Sequence, residues 1–265
     1  MNVVALQLST LPMSKAKLDY YLNICKKRDV SLVLLGEYNL NSFFKELESM
    51  PKLMIKKQST HKINILKELA KEYNLIIVAP IIIFKKDKMY KTIARFTPKT
   101  THFQNQQYLI NYKHWNEEKF FDNEISNEYS PMIFTINGMK IAAMNGFELH
   151  FDNIWLEILK KKVDLVLLPT VSTFGSEQRW SELIKARAFL NGAFILRANR
   201  IGEYTDKEIS WKFYGESYLV YPNGEIHNIL GSKEEMLIAQ IDKSISKDVK
   251  RDWGFGAQIT KREKL

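Results

Sequence analysis

The segment Trp180-Ser181-Glu182-Leu183-Ile184-Lys185-Ala186-Arg187-Ala188-Phe189-Leu190-Asn191-Gly192, followed by Phe194 to Ala198 and then Asn199-Arg200-Ile201-Gly202, decides the fold. Its first part reads as the end of a long helix from Glu177 to Asn191, stopped by glycine, and Phe194 to Ala198 as a buried strand. Upstream, a helix near Ile154 to Lys162 and a strand Val163 to Leu168, ended by Pro169, repeat the pattern. The first half does the same. Val3 to Leu8 is a strand, Lys15 to Arg28 a helix with Leu18, Tyr21, Leu22 and Cys25 on one stripe, and Ser31 to Leu35 a second strand. Lys62 to Tyr73 is helical and Leu75 to Phe84 a strand. Such alternation predicts an α/β protein. Further strands are predicted at Met89 to Phe96, Phe103 to Tyr112, Met132 to Ile136 and Met139 to Met144, the last two flanking the hairpin signal Asn137-Gly138. Phe213 to Val220 and Met236 to Ile241 close the chain as antiparallel strands around Pro222-Asn223-Gly224.

No stretch has linker composition, so residues 1–265 are expected to form one domain with a core that needs no staples. The longest apolar run, Leu75 to Phe84, is interrupted by Pro80 and is about half the roughly 20 residues that a bilayer-spanning helix requires. The N-terminus lacks a basic start and a long apolar core, so neither a membrane anchor nor a secretory signal is expected. One cysteine, Cys25, forbids an internal disulfide and fits a reducing compartment, placing the chain in the cytoplasm. The 39 basic and 30 acidic residues leave a charge of +9, but the lysines are dispersed and nucleic-acid binding is not expected. The five histidines never pair at metal-ligand spacing and no phosphate-cradling glycine loop is present, so no metal or cofactor is expected.

Four segments carry the chemistry. Leu32 to Glu37 is an apolar strand ending in a carboxylate, at the carboxyl end of the sheet where open α/β folds bind ligands. Tyr112-Lys113-His114-Trp115-Asn116-Glu117-Glu118-Lys119-Phe120-Phe121 is the second, and Gly138 to Phe151, a hairpin strand turning sharply into a helix, the third. The fourth runs from Trp180 through Gly202 to Phe213-Tyr214-Gly215-Glu216-Ser217.

Together these segments resemble the nitrilase superfamily of carbon-nitrogen hydrolases, nearly end to end from Val4 to Arg251. The resemblance implies a four-layer α-β-β-α sandwich, with two mixed sheets and helices outside. It also implies a homodimer or larger homo-oligomer, with the tail of about 245–265 at an interface, and hydrolysis of amides, carbamoyl amines or nitriles by a glutamate, a lysine and a cysteine. In that chemistry a carboxylate takes the thiol proton, the thiolate attacks carbon, and an ammonium stabilises the oxyanion. By resemblance the base is Glu37, the lysine Lys113, and a second glutamate Glu118, with Glu117 competing. Phe147 and Thr170 are candidate substrate contacts; Arg187, Asn199 and Arg200 are candidate structural residues near the site.

Two positions depart from the pattern. The nucleophile position falls on Gly146, which has no side chain to attack with, and Leu190 stands where the family usually has glutamate. Cys25, on the apolar stripe of the first helix, is read as a buried, inert thiol rather than a substitute. The sequence therefore points to a protein that has lost the family chemistry and keeps ligand binding or an assembly role. The alternative is an active amidohydrolase, in which glycine at 146 is an engineered change or Glu37 activates water. An open pocket at Gly146 would favour binding and a filled one assembly.

Overall fold

In a computed structural model the alternation read from the sequence becomes two layered halves; the structure describes residues 1–124, 126, 129–206 and 209–262. The first half contains β1 (Asn2–Gln7), α1 (Ala16–Lys27), β2 (Val30–Leu35), α2 (Phe44–Leu47), α3 (Lys52–Tyr73), β3 (Ile76–Lys85), β4 (Lys88–Phe96), β5 (Thr101–Asn105), β6 (Asn111–Tyr112) and β7 (Trp115–Asn116). The second contains β8 (Met132–Ile136), β9 (Met139–Ala143), a 3-10 turn (Gly146–His150), α4 (Asp152–Lys160), β10 (Leu165–Thr170), α5 (Glu177–Asn191) and β11 (Phe194–Asn199). It continues through β12 (Ile201–Thr205), β13 (Ser210–Tyr214), β14 (Tyr218–Val220), β15 (Ile226–His227), β16 (Glu235–Gln240), α6 (Lys243–Trp253) and α7 (Phe255–Arg262).

Among the described residues the strands make two six-stranded sheets, ordered β16-β1-β2-β3-β4-β5 and β15-β14-β11-β10-β9-β8. Both are mixed: β1, β2 and β3 run parallel, as do β9, β10 and β11, and antiparallel strands flank each trio. Period-two alternation builds the layers. On β1, Val3 and Ala5 face a core shared with Ile141, Leu167 and Leu196 of the other sheet, while Val4 and Leu6 pack outward on Leu22 of α1 and Leu66 of α3. Val166, Leu168 and Ile195 turn the other way, onto Trp155 of α4 and Ile184 of α5. The result is the α-β-β-α order expected. Cys25 is fully buried in the α1 layer, and burial pushes its thiol up to about 12, far from the thiolate that reactivity requires. No described helix is long and apolar enough to cross a membrane.

Four local expectations are corrected. α3 begins at Lys52, ten residues earlier than Lys62: Pro51 stands at its N-cap, and Leu53 and Met54 of its first turn are exposed, so the added turns do not extend the buried stripe of Ile65, Leu66 and Leu69 in a readable pattern. The strand expected over 103–112 stops at Asn105; Gln106 continues the pairing to Lys91, but its side chain donates to the Tyr108 carbonyl and the chain turns away. Pro169 lies inside β10 rather than after it. The Leu167 carbonyl accepts from Met144 on the β9 side, so Pro169, two residues on, faces the side where β9 has already ended and needs no N–H. The run Phe213 to Val220 breaks at Gly215, with φ +79° and Gln7 and the Gly231 carbonyl 2.7 Å from where a Cβ would stand. Residues 263–265 of the expected interface tail lie outside the described residues.

Candidate functional site

The parallel strands of both sheets deliver their carboxyl ends to one place. Glu37 follows β2, Gly146 follows β9, Thr170 ends β10, and Asn199 ends β11 with Arg200 after it. Because the chain leaves each strand there, backbone groups that would otherwise pair are free to hold side chains. The Glu37 amide donates to the Thr170 carbonyl at 3.3 Å, and so does the Arg200 amide, tying the two sheets together. The Asn199 side-chain oxygen accepts from the Thr170 hydroxyl at 2.8 Å and from the Ser172 amide at 2.9 Å. Arg200 donates to the Tyr38 carbonyl and lies over the Phe213 ring; burial lowers its guanidinium to about 10. Arg187 sits further out, on the Asp152 carboxylate at 2.5 Å. All three of these expected structural residues fasten loops by hydrogen bonds or ion pairs.

At the centre is a buried charge cluster. Lys91, on the inward face of β4 between Met89 and Ile93, reaches Glu37 at 2.9 Å and Glu117 at 2.8 Å; all three are at most 4% exposed. Glu117 also accepts from the Tyr38 hydroxyl and the Trp115 indole N–H. Burial alone would strip charge from the cluster. It raises the Glu37 carboxyl above its ordinary value, with Lys91 pulling the other way. Burial likewise opposes the Lys91 ammonium, but Glu117 and Glu37 more than offset it and hold the lysine above its ordinary value. Behind them Glu148, fully buried, is pushed up to about 7 by burial, although the Gln107 and Asn145 amides donate to it.

Two sequence assignments are corrected by these placements. Lys113 is exposed in the turn between β6 and β7, where its neighbours Tyr112 and His114 line the cavity and it does not. Glu118 is exposed as well, and the carboxylate inside is Glu117, whose amide is tied to the Ile110 carbonyl at 2.7 Å. A two-residue hairpin turns alternate side chains inward, so Tyr112 and His114 point one way and Lys113 the other. Lys91 escaped the sequence reading, yet carried a signal: a lysine in register with Met89 and Ile93 on the buried face of an otherwise apolar strand.

Gly146 meets this cluster through its backbone. Its amide donates to Glu37 Oε1 at 2.6 Å, and Glu37 Oε2 takes Lys91. A Cβ added at 146 would stand 3.0 Å from Glu37 Oε1, the Pro169 carbonyl and the Thr170 methyl. Gly146→Ala is therefore expected to lower stability by about 1–3 kcal/mol through overpacking, read as a drop in the denaturation midpoint. An unchanged midpoint would show that the pocket yields to a side chain.

The cluster opens on a cavity of about 610 Å³. Glu37 and Gly146 are part of its lining, with Phe147 beside them; Thr170 stands behind Gly146. The aromatic wall behind the cavity is built on Phe43, fully buried, with ring centroids 5.1 Å from Trp115, 5.3 Å from Trp211 and 4.9 Å from Phe213. Among the described residues no group of histidine, cysteine, aspartate or glutamate is arranged to hold a metal ion.

The carbon-nitrogen hydrolase family model matches residues 10–251, nearly the whole chain. The chain belongs to the carbon-nitrogen hydrolase family. It is 34% identical to an N-carbamoylputrescine amidase of Solanum tuberosum over 152 residues, covering 52% of this chain and 49% of that one. The matches to the rice and tomato proteins of that name span about a third of their length, so this chain aligns with about half or less of these curated relatives. Among solved structures, a carbon-nitrogen hydrolase from Helicobacter pylori superposes with a TM-score of 0.85 at 19% identity, covering 96% of this chain and 94% of that one. An amidase from Nesterenkonia, in which acrylamide has added to the active-site cysteine, superposes with a TM-score of 0.73 at 16% identity, covering 96% and 99%. These solved relatives share the nitrilase-type fold.

Proposed function

We propose that this carbon-nitrogen hydrolase family member binds a small organic ligand without hydrolysing it. In this reading Gly146 occupies the nucleophile position, and Lys91, from β4, takes the post of the family lysine between Glu37 and Glu117. The observation that carries the reading is Gly146 itself: a backbone amide, and no thiol, faces the Glu37 carboxylate at the edge of an open cavity. Covalent attack needs a nucleophile that a base can deprotonate, and position 146 offers Glu37 only a backbone amide. Water activated by Glu37 is the competing reading: each carboxylate oxygen accepts one hydrogen bond, from Gly146 or from Lys91, and keeps a lone pair, so ammonia release decides between the two.

The open cavity supports ligand binding over a purely structural role. Self-association is a separate part of the proposal, and the exposed Leu190 of α5 and Trp253 at the end of α6, which line one surface groove, support it. Ammonia release from a panel of amides, carbamoyl amines and nitriles tests the reading. The unaltered protein is expected to release none above buffer. Catalytic release by the unaltered protein would overturn the proposal.

A further inference from the structure

A second cavity, of about 810 Å³, lies where α6 and α7 pack beside the ends of α4 and α5. Lysines dispersed in the sequence are gathered there. Lys243, Lys247 and Lys250 stand at i, i+4 and i+7, so one face of α6 presents all three to the groove, and Lys140 of β9 and Lys162 after α4 line it with them. Among the described residues Asp164 is the one carboxylate in the lining. Its side chain, 7% exposed, takes Lys250 at 2.9 Å and has Lys243 at 3.6 Å, and it accepts from the Lys140 amide at 3.0 Å.

One carboxylate does not neutralise this set. The Lys250 ammonium is held below its ordinary value by burial, with Lys243 and Lys140 repelling it against the pull of Asp164. Lys162 and Lys247 are exposed, and neither belongs to an ion pair among the described residues. The other acids of α6 are engaged elsewhere. Asp242 caps the helix through the Ser244 amide, and Asp248 and Asp252 pair with Arg251, which lines the groove as Lys261 does. The volume is that of a small-molecule site rather than of a bare ion, and the lining continues onto Leu159 and Phe189. A phosphomonoester brings about two negative charges at neutral pH and three acceptor oxygens, and lysines hold phosphate as point charges. A carboxylate brings a single charge.

We propose that this groove binds a soluble organic phosphate, the phosphoryl group among Lys140, Lys162, Lys243 and Lys247 and the organic body along Leu159 and Phe189. The exposed Trp253 that supports self-association closes α6 about 15 Å beyond Lys243, so the lysine end stays open beside such a contact. The site is separate from the Glu37 cavity, and its test does not depend on what that cavity binds.

The test is calorimetry near neutral pH with phenyl phosphate, phenol and inorganic phosphate as probes. Phenyl phosphate is expected to bind at least about tenfold tighter than phenol, which lacks the charge, and at least about threefold tighter than inorganic phosphate, which lacks the body. Lys162→Gln with Lys247→Gln should weaken it at least about tenfold with the melting temperature unchanged, because both lysines are exposed. Lys56→Gln with Lys57→Gln removes the same charge from exposed positions of α3 and should change binding by less than about twofold. Phenol bound as tightly as phenyl phosphate, no binding of phenyl phosphate, or equal losses in the two double variants would each overturn the proposal. Co-sedimentation with vesicles of phosphatidic acid in phosphatidylcholine, abolished by Lys162→Gln with Lys247→Gln, would overturn it as well, by assigning the lysines to a membrane surface.

Discussion

Replacing Lys91 with methionine is expected to cost about 3–5 kcal/mol of folding stability at neutral pH, because removing one member of a buried ionic cluster leaves the rest uncompensated. Glu37 and Glu117 would then face each other with no cation between them, in a site at most 4% exposed. The loss should depend on pH, and its sign is fixed. Burial already raises the Glu37 carboxyl above its ordinary value of 4.5, and Lys91 restrains that rise. Without Lys91 the Glu37 carboxyl rises further. A carboxyl raised in the folded state contributes stability below its unfolded value and loses it as pH climbs through the folded value. The deficit of the variant should therefore be small near about pH 5 and largest near about pH 8. Guanidinium midpoints at both pH values, with the slope unchanged, measure it. Adding Glu37→Gln and Glu117→Gln should recover much of the loss, since a neutral set has no charge left to desolvate. A deficit below about 1 kcal/mol, or one equal at both pH values, would mean that the cluster is not the charge-coupled unit described.

The second large effect lies behind the cavity. Phe43 is fully buried, and the rings of Tyr38, Trp115, Tyr204, Trp211 and Phe213 surround it. Phe43→Ala should cost about 3–5 kcal/mol, by lost transfer energy and by the void left among rigid rings that cannot collapse into it. The ring centroids of Trp211 and Phe174 are 4.6 Å apart, so the void also loosens the cavity wall at Phe174. A lowered midpoint with a red-shifted tryptophan emission is the expected result. A loss of less than about 1 kcal/mol would show that the aromatic layer repacks freely.

The layered fold was legible because its strands alternate strictly. Val3 and Ala5 against Val4 and Leu6 state which side of β1 meets the other sheet and which meets helices, and the Asn137-Gly138 turn has the positive φ at both positions that its sequence demands. The strand-end positions of Glu37 and Gly146 were legible for the same reason, since each follows the end of a regular strand. Lys113 and Glu118 were misassigned because a short hairpin was read by linear resemblance, where one residue of register exchanges the inside for the outside. Lys91 was hidden in plain strand periodicity, 54 positions from Glu37 in sequence and 2.9 Å from it in space. The cavity lining could not be read at all. Its segments, around 110–115, 146–150 and 171–183, are brought together by loops whose paths depend on tertiary packing rather than on local pattern.

In a protease whose nucleophile has been deleted, turnover falls by about 10⁶, which is the scale of difference expected between this chain and a thiol-bearing relative. The most direct test of the central claim is the reaction of the unaltered protein with an activated p-nitrophenyl ester, followed by intact and peptide mass analysis. With Gly146 facing Glu37, no stoichiometric burst of p-nitrophenol and no acyl group on any residue of the cavity is expected. A burst approaching one equivalent, with the acyl group mapped to a cavity residue, would contradict the account.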